Sequence, residues 1–547
     1  MLAVARAHVR DVRWLVREPA LFAVLLAVAA FLMVFVLLPV IRVLAVPSVE
    51  HWMLYLQRAA FIKATRNSLL MAVLSTTSAM SVGFLYAYAL VRADIPGKPL
   101  FRTVALLPLI SPPFVTGLAT ILLFGRRGLV THRLLGLTFD PYGWHGLWFS
   151  QTLAFFPLAY LGVAGVLRSI RPSLELAAHN LGARRWAAFR TITVPLATPG
   201  IASAALLVSI FVLADFGNPM VLGGSFYVLA TEAYLQIIGR YNTEMAAVLC
   251  TVLLVPALGF FLAQRYWLGR RAYITVTGQP TGLEPRRLSP AVRWALFGGC
   301  LVVALVVALI YLVIAVGAFA RIWGIDWSLT LGNFAYTLFK QRDLYNSVRF
   351  GLMAALLTAL VATVAAYLTQ RKSFPGRGAL DFLTLLPLAL PGTLVGIGFV
   401  LAFNQPPLEL AGTAAIIVVA MAIRTLPVGY RLAVASLQQI EPSIEWASRN
   451  LGASSLRTFV RIMLPLLRYA FAGGFIYTFV KSINTLSAVI FLVTPGKAVA
   501  SASILGLAEQ GYWGLATALA FSLIVIALLA LALLRLVAGR RVQLFDL

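Results

Sequence analysis

The sequence predicts an all-α polytopic membrane protein, with about twelve transmembrane helices in two homologous six-helix halves. Three observations predict it. The 547 residues are 61% hydrophobic, more apolar sequence than a soluble core can use. The apolar residues fall into runs, each near the roughly 20 residues a helix needs to cross a bilayer. The runs also repeat: matched residues recur at an offset of 279 early in each half and 270 later.

The runs lie at about 19–46, 67–91, 101–124, 146–167, 196–222 and 243–266, then 294–319, 346–370, 380–403, 411–437, 466–493 and 512–538. This divides the chain into a first repeat (1–266), a polar linker (267–292) and a second repeat (293–547). Asn67-Ser68 matches Asn346-Ser347, Pro96-Gly97 matches Pro375-Gly376, and Leu106-Leu107-Pro108 matches Leu385-Leu386-Pro387. The first repeat carries nine extra residues between its third and fourth spans. The external loop that contains them holds Arg126, Arg127, His132, Arg133, Asp140 and Trp144. Six crossings per repeat set both halves the same way up.

The formal charge of +26 is explained by positive-inside topology and anionic headgroups, without nucleic acid. Arg6, Arg10, Arg13 and Arg17 precede the first span, and Arg535, Arg540 and Arg541 close the chain. Both termini are therefore expected in the cytoplasm. Cys250 and Cys300 fall in apolar runs and read as small buried residues. No GxxxxGK[ST] loop is present, so any ATPase belongs to another subunit.

Two polar islands, 172–195 and 442–465, interrupt the apolar pattern and align without a gap. The first reads Pro172-Ser173-Leu174-Glu175-Leu176-Ala177-Ala178-His179-Asn180-Leu181-Gly182, the second Pro442-Ser443-Ile444-Glu445-Trp446-Ala447-Ser448-Arg449-Asn450-Leu451-Gly452. Ser173 and Ser443 are expected as N-caps, with Glu175 and Glu445 in the first turn, where a carboxylate suits the helix dipole. Leu174, Ala177, Ala178 and Leu181 form one apolar face. Gly182 and Gly452 stand where a glycine ends a helix. Arg168, Arg171, Arg184 and Arg185 flank the first island, which predicts a cytoplasmic location.

These islands resemble the EAA loop of permease subunits in bacterial binding-protein-dependent ABC importers. Here the pattern reads Glu175-Leu176-Ala177 and Glu445-Trp446-Ala447, then Gly182 and Gly452, then Ile192-Thr193-Val194-Pro195 and Ile462-Met463-Leu464-Pro465. The first alanine of the family pattern is replaced in both copies. The resemblance implies a type I importer permease, docked through Ser173, Glu175, Ala177, Ala178, Gly182, Ser443, Glu445, Ala447 and Gly452. It implies two copies of an ATP-binding subunit, which would carry ATP and Mg, and a periplasmic substrate-binding protein. It implies no cofactor on this chain, no catalytic residue, and an inner-membrane location in contact with lipid.

The stretches Ala214–Gly224 and Leu486–Leu492 narrow the resemblance to ferric-iron importer permeases. Relatives of that family carry thiamine, phosphonates or sugar phosphates, so an organophosphate stays open beside ferric iron. A secondary transporter is the rival outside the class; it would need several mid-membrane carboxylates, which the spans lack.

An ionisable residue inside a span needs a reason. Asp215, Asn218, Glu232, Lys481 and Asn484 are the expected path or gate residues, and Arg424 is placed near the cytoplasmic end of its span. For Asp215, Lys481 and Arg424 the alternative is a buried ion pair or a helix-end side chain snorkelling to water, and for Arg424 that alternative is the preferred reading. Residues 215–224 and 484–496 read either as gates or as ordinary helix ends. No tight metal site is legible.

Overall fold

The computed structural model describes residues 18–170, 172–268 and 289–538. Helix α1 spans Pro19–Ala45, α2 Ala59–Arg92, α3 Lys98–Ile110 and α4 Val115–Phe124. Next come α5 (Trp144–Ser169), α6 (Pro172–Asn180), α7 (Val194–Leu213), α8 (Gly217–Leu222), α9 (Leu229–Ile238) and α10 (Thr243–Leu262). Helix α11 (Pro290–Phe319) leads into a two-stranded hairpin, β1 (Ala320–Ile322) and β2 (Asp326–Leu329). The remainder is α12 (Asp343–Arg371), α13 (Arg377–Leu385), α14 (Gly392–Phe403), α15 (Ala414–Gln439), α16 (Ser443–Asn450), α17 (Arg468–Ile483), α18 (Ala500–Glu509) and α19 (Trp513–Ala538).

Among the described residues nine helices are long and apolar enough to cross a membrane, or up to twelve if each bent pair is one span. The bent pairs correct three expected straight spans. The third span turns by 106° between α3 and the helix from Val115, and the ninth by 111° before α14. Ser111-Pro112-Pro113 and Leu390-Pro391-Gly392 stand at those turns, where proline cannot donate to the helix ladder. The eleventh turns by 72° ahead of Phe471. The fifth span ends at Leu213 instead of 222, and the eleventh at Ile483 instead of 493.

The helices form two compact units that cut across chain order. One comprises residues 49–268, 289–337 and 504–524, the other 18–48, 338–503 and 525–538. Helix α11, the seventh span, therefore packs among the first-half helices. Tyr86 on α2 donates to the Cys300 carbonyl at 2.8 Å, and Ser111 and Tyr311 share a hydrogen bond of 2.6 Å. Helix α1 packs among second-half helices. Phe35 meets Phe403 at 5.4 Å, and a Cβ on Gly398 would lie 2.9 Å from the Pro39 carbonyl oxygen. Such close approach is what glycine permits. Cys250 and Cys300 are free and buried.

The two units repeat one another in detail. Asn67 donates to the Tyr227 carbonyl, and Asn346 to those of Gly496 and Ala498. The Ser68 hydroxyl accepts the Leu229 N–H at the start of α9, and Ser347 accepts that of Ala500 at the start of α18. The extra loop of the first repeat lies at the end of α5 opposite α6. There Arg126 pairs with Asp140 at 3.7 Å, and Arg133 lies over the Trp327 ring at 4.3 Å.

Candidate functional site

Both polar islands fold as short helices ended by glycine. Gly182 has φ 87° and Gly452 φ 83°, in the left-handed region where a Cβ is penalised. Beyond each glycine the chain closes back: Ala183 N–H donates to the Ala178 carbonyl and Ala453 N–H to that of Ser448. Serine does not cap either helix. Helix α6 begins at Pro172, so Ser173 already lies within it, and Pro442 is the N-cap of α16. Proline suits a helix start, and so Ser173 is the second residue of α6 and Ser443 the first of α16.

The carboxylates point inward. Glu175 Oε1 lies 3.7 Å from Arg92 Nη2 and accepts the Thr193 hydroxyl at 2.8 Å. Arg92 Nη2 also donates to the carbonyls of Leu167 and Ile170, at 3.0 and 3.1 Å, where α5 ends. The second copy repeats this. Glu445 Oε1 lies 3.2 Å from Arg371 Nε, and Arg371 Nη2 donates to the carbonyls of Leu437 and Ile440. A cation at a helix C-terminus meets both its orphan carbonyls and its dipole. One arginine thus ties three elements together: the end of α2 or α12, the end of α5 or α15, and the surface helix.

The locks differ in depth. The Glu445 side chain is 9% exposed, whereas the Glu175 side chain is 27% exposed. Glu445 also accepts the Tyr367 hydroxyl at 3.3 Å. Beside it, Lys372 Nζ donates to Ser455 Oγ at 2.7 Å, and Ser455 donates to Glu18 at 2.6 Å. Burial pushes the Lys372 ammonium below its usual range, and Glu18 partly offsets this.

The apolar residues of the same helices point outward. Leu174, Ala177 and Leu181 are exposed in α6 and its cap, as are Ile444, Trp446, Ala447 and Leu451 in the second copy. Leu181 and Leu451 are each 88% exposed. The apolar face is thus turned away from the rest of the protein, with Ala178 half-buried at its edge. Arginines at 92 and 371 are legible in the sequence only as cations near span ends; their partners lie 83 and 74 residues away.

Among the path residues, Asp215 and Asn218 are brought together. Asp215 Oδ2 accepts from Gln151 Nε2 at 3.0 Å and from Asn218 Nδ2 at 2.9 Å. Asn218 Oδ1 accepts from Thr116 Oγ1, the Gly117 N–H and Ser150 Oγ at 3.1, 3.1 and 2.7 Å. Ser75 donates to Gln151 Oε1 at 2.9 Å. This buried network pins α8 to α2, α4 and α5. Gln151, Ser150, Thr116 and Ser75 were absent from the expected set. Their only sequence signal is a polar Ser150-Gln151-Thr152 within an apolar run.

Glu232 keeps separate company: it accepts from Gln236 at 2.8 Å and lies 3.6 Å from Arg240. Among the described residues no three His, Cys, Asp or Glu side chains gather to hold a metal ion. In the other unit Lys481 is half-buried near the end of α17, followed by buried Asn484. Arg424 corrects its expected position. It is mid-helix in α15, and its Nη1 donates to the Leu390 carbonyl at 2.6 Å.

Residues 358–543 match the model of the binding-protein-dependent transport system inner membrane component. The chain is 39% identical over 471 residues to the ferric transport system permease protein FbpB of Actinobacillus pleuropneumoniae, covering 82% of this chain and 67% of that one. It is 36% identical to a putative ferric transport system permease protein of Haemophilus influenzae, covering 81% and 72%. The chain belongs to the binding-protein-dependent permease family. The molybdenum transport system permease protein ModB of Escherichia coli is 33% identical over 215 residues, 93% of its length but 38% of this chain. A family unit of that size accounts for less than half of the chain, and the permease carries two repeats of it. A chain of a bacterial alginate ABC transporter, 22% identical, covers 48% of this chain with a TM-score of 0.41. The permease is a multi-pass inner-membrane protein.

Proposed function

We propose that this permease carries ferric iron from a periplasmic binding protein into the cytoplasm, by alternating access driven by ATP hydrolysis on a separate subunit. The 39% identity to a ferric transport permease, over most of the chain, carries the substrate. Two copies of an ATP-binding subunit, holding ATP and Mg, dock on the exposed faces of α6 and α16. The inward Glu175 and Glu445 transmit the movement of those helices to the bundle through Arg92 and Arg371. The repeats run over 1–266 and 293–547 with a linker at 267–292, most of which lies outside the described residues. Both termini and both docking helices face the cytoplasm, as their basic flanks favour. Segments 215–224 and 484–496 act as gates.

An organophosphate or sugar phosphate is the second reading, favoured by Arg424 at membrane depth. The deciding measurement is ATPase activity of the reconstituted complex with its own binding protein. Stimulation by the ferric-loaded protein alone supports iron. Stimulation by the organophosphate-loaded protein alone transfers the assignment to the anion.

A further inference from the structure

Helix α1 begins with a carboxylate that its own helix does not use. Glu18 is the N-cap of α1, yet its side chain makes no capping bond to the first turn. An N-cap carboxylate ordinarily accepts from an N–H there. Instead Glu18 Oε1 accepts the Ser455 hydroxyl at 2.6 Å and lies 4.0 Å from Arg449 Nη2. Arg449 is on the docking helix α16 itself. Ser455 opens the short helix Ser455–Thr458 that follows α16, and it is 1% exposed. Its hydroxyl also accepts from Lys372 Nζ, so it is held from both sides. Thr458, at the other end of that short helix, shares a hydrogen bond of 2.9 Å with Ser448 of α16. The start of α1 is thus tied to α16 by two routes.

Farther along, α1 is fixed to α14. The Phe35 ring meets Phe403, and Pro39 lies against Gly398. Helix α14 packs in turn on the segment 484–496. Gly392 leaves no room for a Cβ against Ser487, and a Cβ on Gly396 would lie 2.6 Å from Phe491 Cδ2. Between Glu18 and Pro39 the chain is one helix with a π turn at Met33–Leu37, roughly 30 Å long at 1.5 Å per residue. Close-packed contacts of this kind transmit a displacement instead of absorbing it.

The first repeat lacks the hook. Its counterpart of α1 is α11, which also starts at a proline, but Ser289 precedes it where Glu18 precedes α1. Arg185, His179 and Ala93 stand where the second repeat has Ser455, Arg449 and Lys372. The hook is therefore a property of one docking helix and is not required by the fold.

We propose that α1 is a drive rod: Glu18 hooks the first span to the second docking helix, and α1 passes that helix's displacement through α14 to the segment 484–496. Glu18 acts through α1 and is a positioning residue. The rod rests on the docking and gate readings, and its test separates its failure from theirs.

The test uses the full importer complex, reconstituted in vesicles, with a single reporter cysteine in either gate segment. Thr494→Cys reports on 484–496 and Val221→Cys on 215–224; both positions are half-buried, and the native Cys250 and Cys300 are buried. The readout is the labelling rate with a membrane-impermeant maleimide, without nucleotide and after trapping with ATP and vanadate. With Glu18 in place, trapping is expected to change both rates at least fivefold. Glu18→Ala should abolish the change at Thr494→Cys and keep that at Val221→Cys, with the ATPase still co-purifying. Glu18→Gln retains an acceptor for Ser455 and should recover part of the change. Ser455→Ala removes the other end of the hook and serves should Glu18→Ala fail to assemble. An undiminished change at Thr494→Cys in Glu18→Ala or Ser455→Ala overturns the rod and leaves the docking and gate readings intact. Loss at both reporters also overturns it, because the hook would then support the whole bundle and not one gate. No change at Thr494→Cys with Glu18 in place overturns the gate reading and the rod together.

Discussion

The two surface helices of this permease are anchored by matching residues, while its two membrane interiors are not. At the surface the repeats match residue for residue: Arg92 and Arg371, Glu175 and Glu445, and the capped carbonyls of Leu167 and Leu437 and of Ile170 and Ile440. Inside, the equivalents of Gln151, Asp215 and Asn218 are Met421, Thr485 and Ala488. The equivalents of Arg424, Tyr477 and Lys481 are Ala154, Leu207 and Phe211. One repeat holds a buried carboxylate network, and the other has two cations, Arg424 and Lys481, where the first has Ala154 and Phe211. Under the proposed docking, a surface that meets the same partner twice must keep its shape twice. A path crossed by one solute has no such need.

That contrast can be broken most sharply at the locks. Arg371→Ala strands Glu445, a loss of roughly 3–5 kcal/mol for a buried pair deprived of one partner. Iron uptake should fall at least tenfold, with binding-protein-stimulated ATPase lost. Arg92→Ala should cost clearly less, because Glu175 is partly solvated and keeps Thr193. Equal losses in the two variants would show that the difference in depth has no consequence. Glu175→Lys with Glu445→Lys sets like charges against both arginines and should detach the ATPase, read by co-purification.

The interior network comes next. Asp215→Ala leaves the Gln151 and Asn218 amides without an acceptor, at about 1–3 kcal/mol each. Thermal unfolding in detergent should move down by several degrees. Thr485→Ala, its counterpart, removes only a hydroxyl bonded to the Lys481 carbonyl and should leave the midpoint within error. Comparable shifts would mean that the interiors are more alike than their residues.

The smallest effect tests the symmetry itself. Gly182→Ala and Gly452→Ala each place a Cβ in open space at positive φ, so the cost is backbone strain alone, about 1–2 kcal/mol. Both should lower ATPase affinity by similar factors. A several-fold difference between them would argue against equivalent docking helices.

Most span positions, the duplication, the two surface helices and their terminal glycines were legible in the sequence. Each depends on local physics: transfer of about twenty apolar side chains, or the φ that only glycine adopts freely. The bends in the third, ninth and eleventh spans and the early ends of the fifth and eleventh were not legible there. Tertiary structure alone decided the rest. It assigned the first span of each repeat to the other repeat's unit, because hydropathy reports that a helix is buried and not by what. It turned the carboxylates of α6 and α16 inward and their leucines outward, since an amphipathic pattern has two faces and no label for the solvent. It showed Asp215 held by Gln151 and Asn218, and Arg424 with a single carbonyl partner. Most of those partners lie tens of residues away in the chain. A residue's chemistry is written in its name, but its neighbours are chosen by packing.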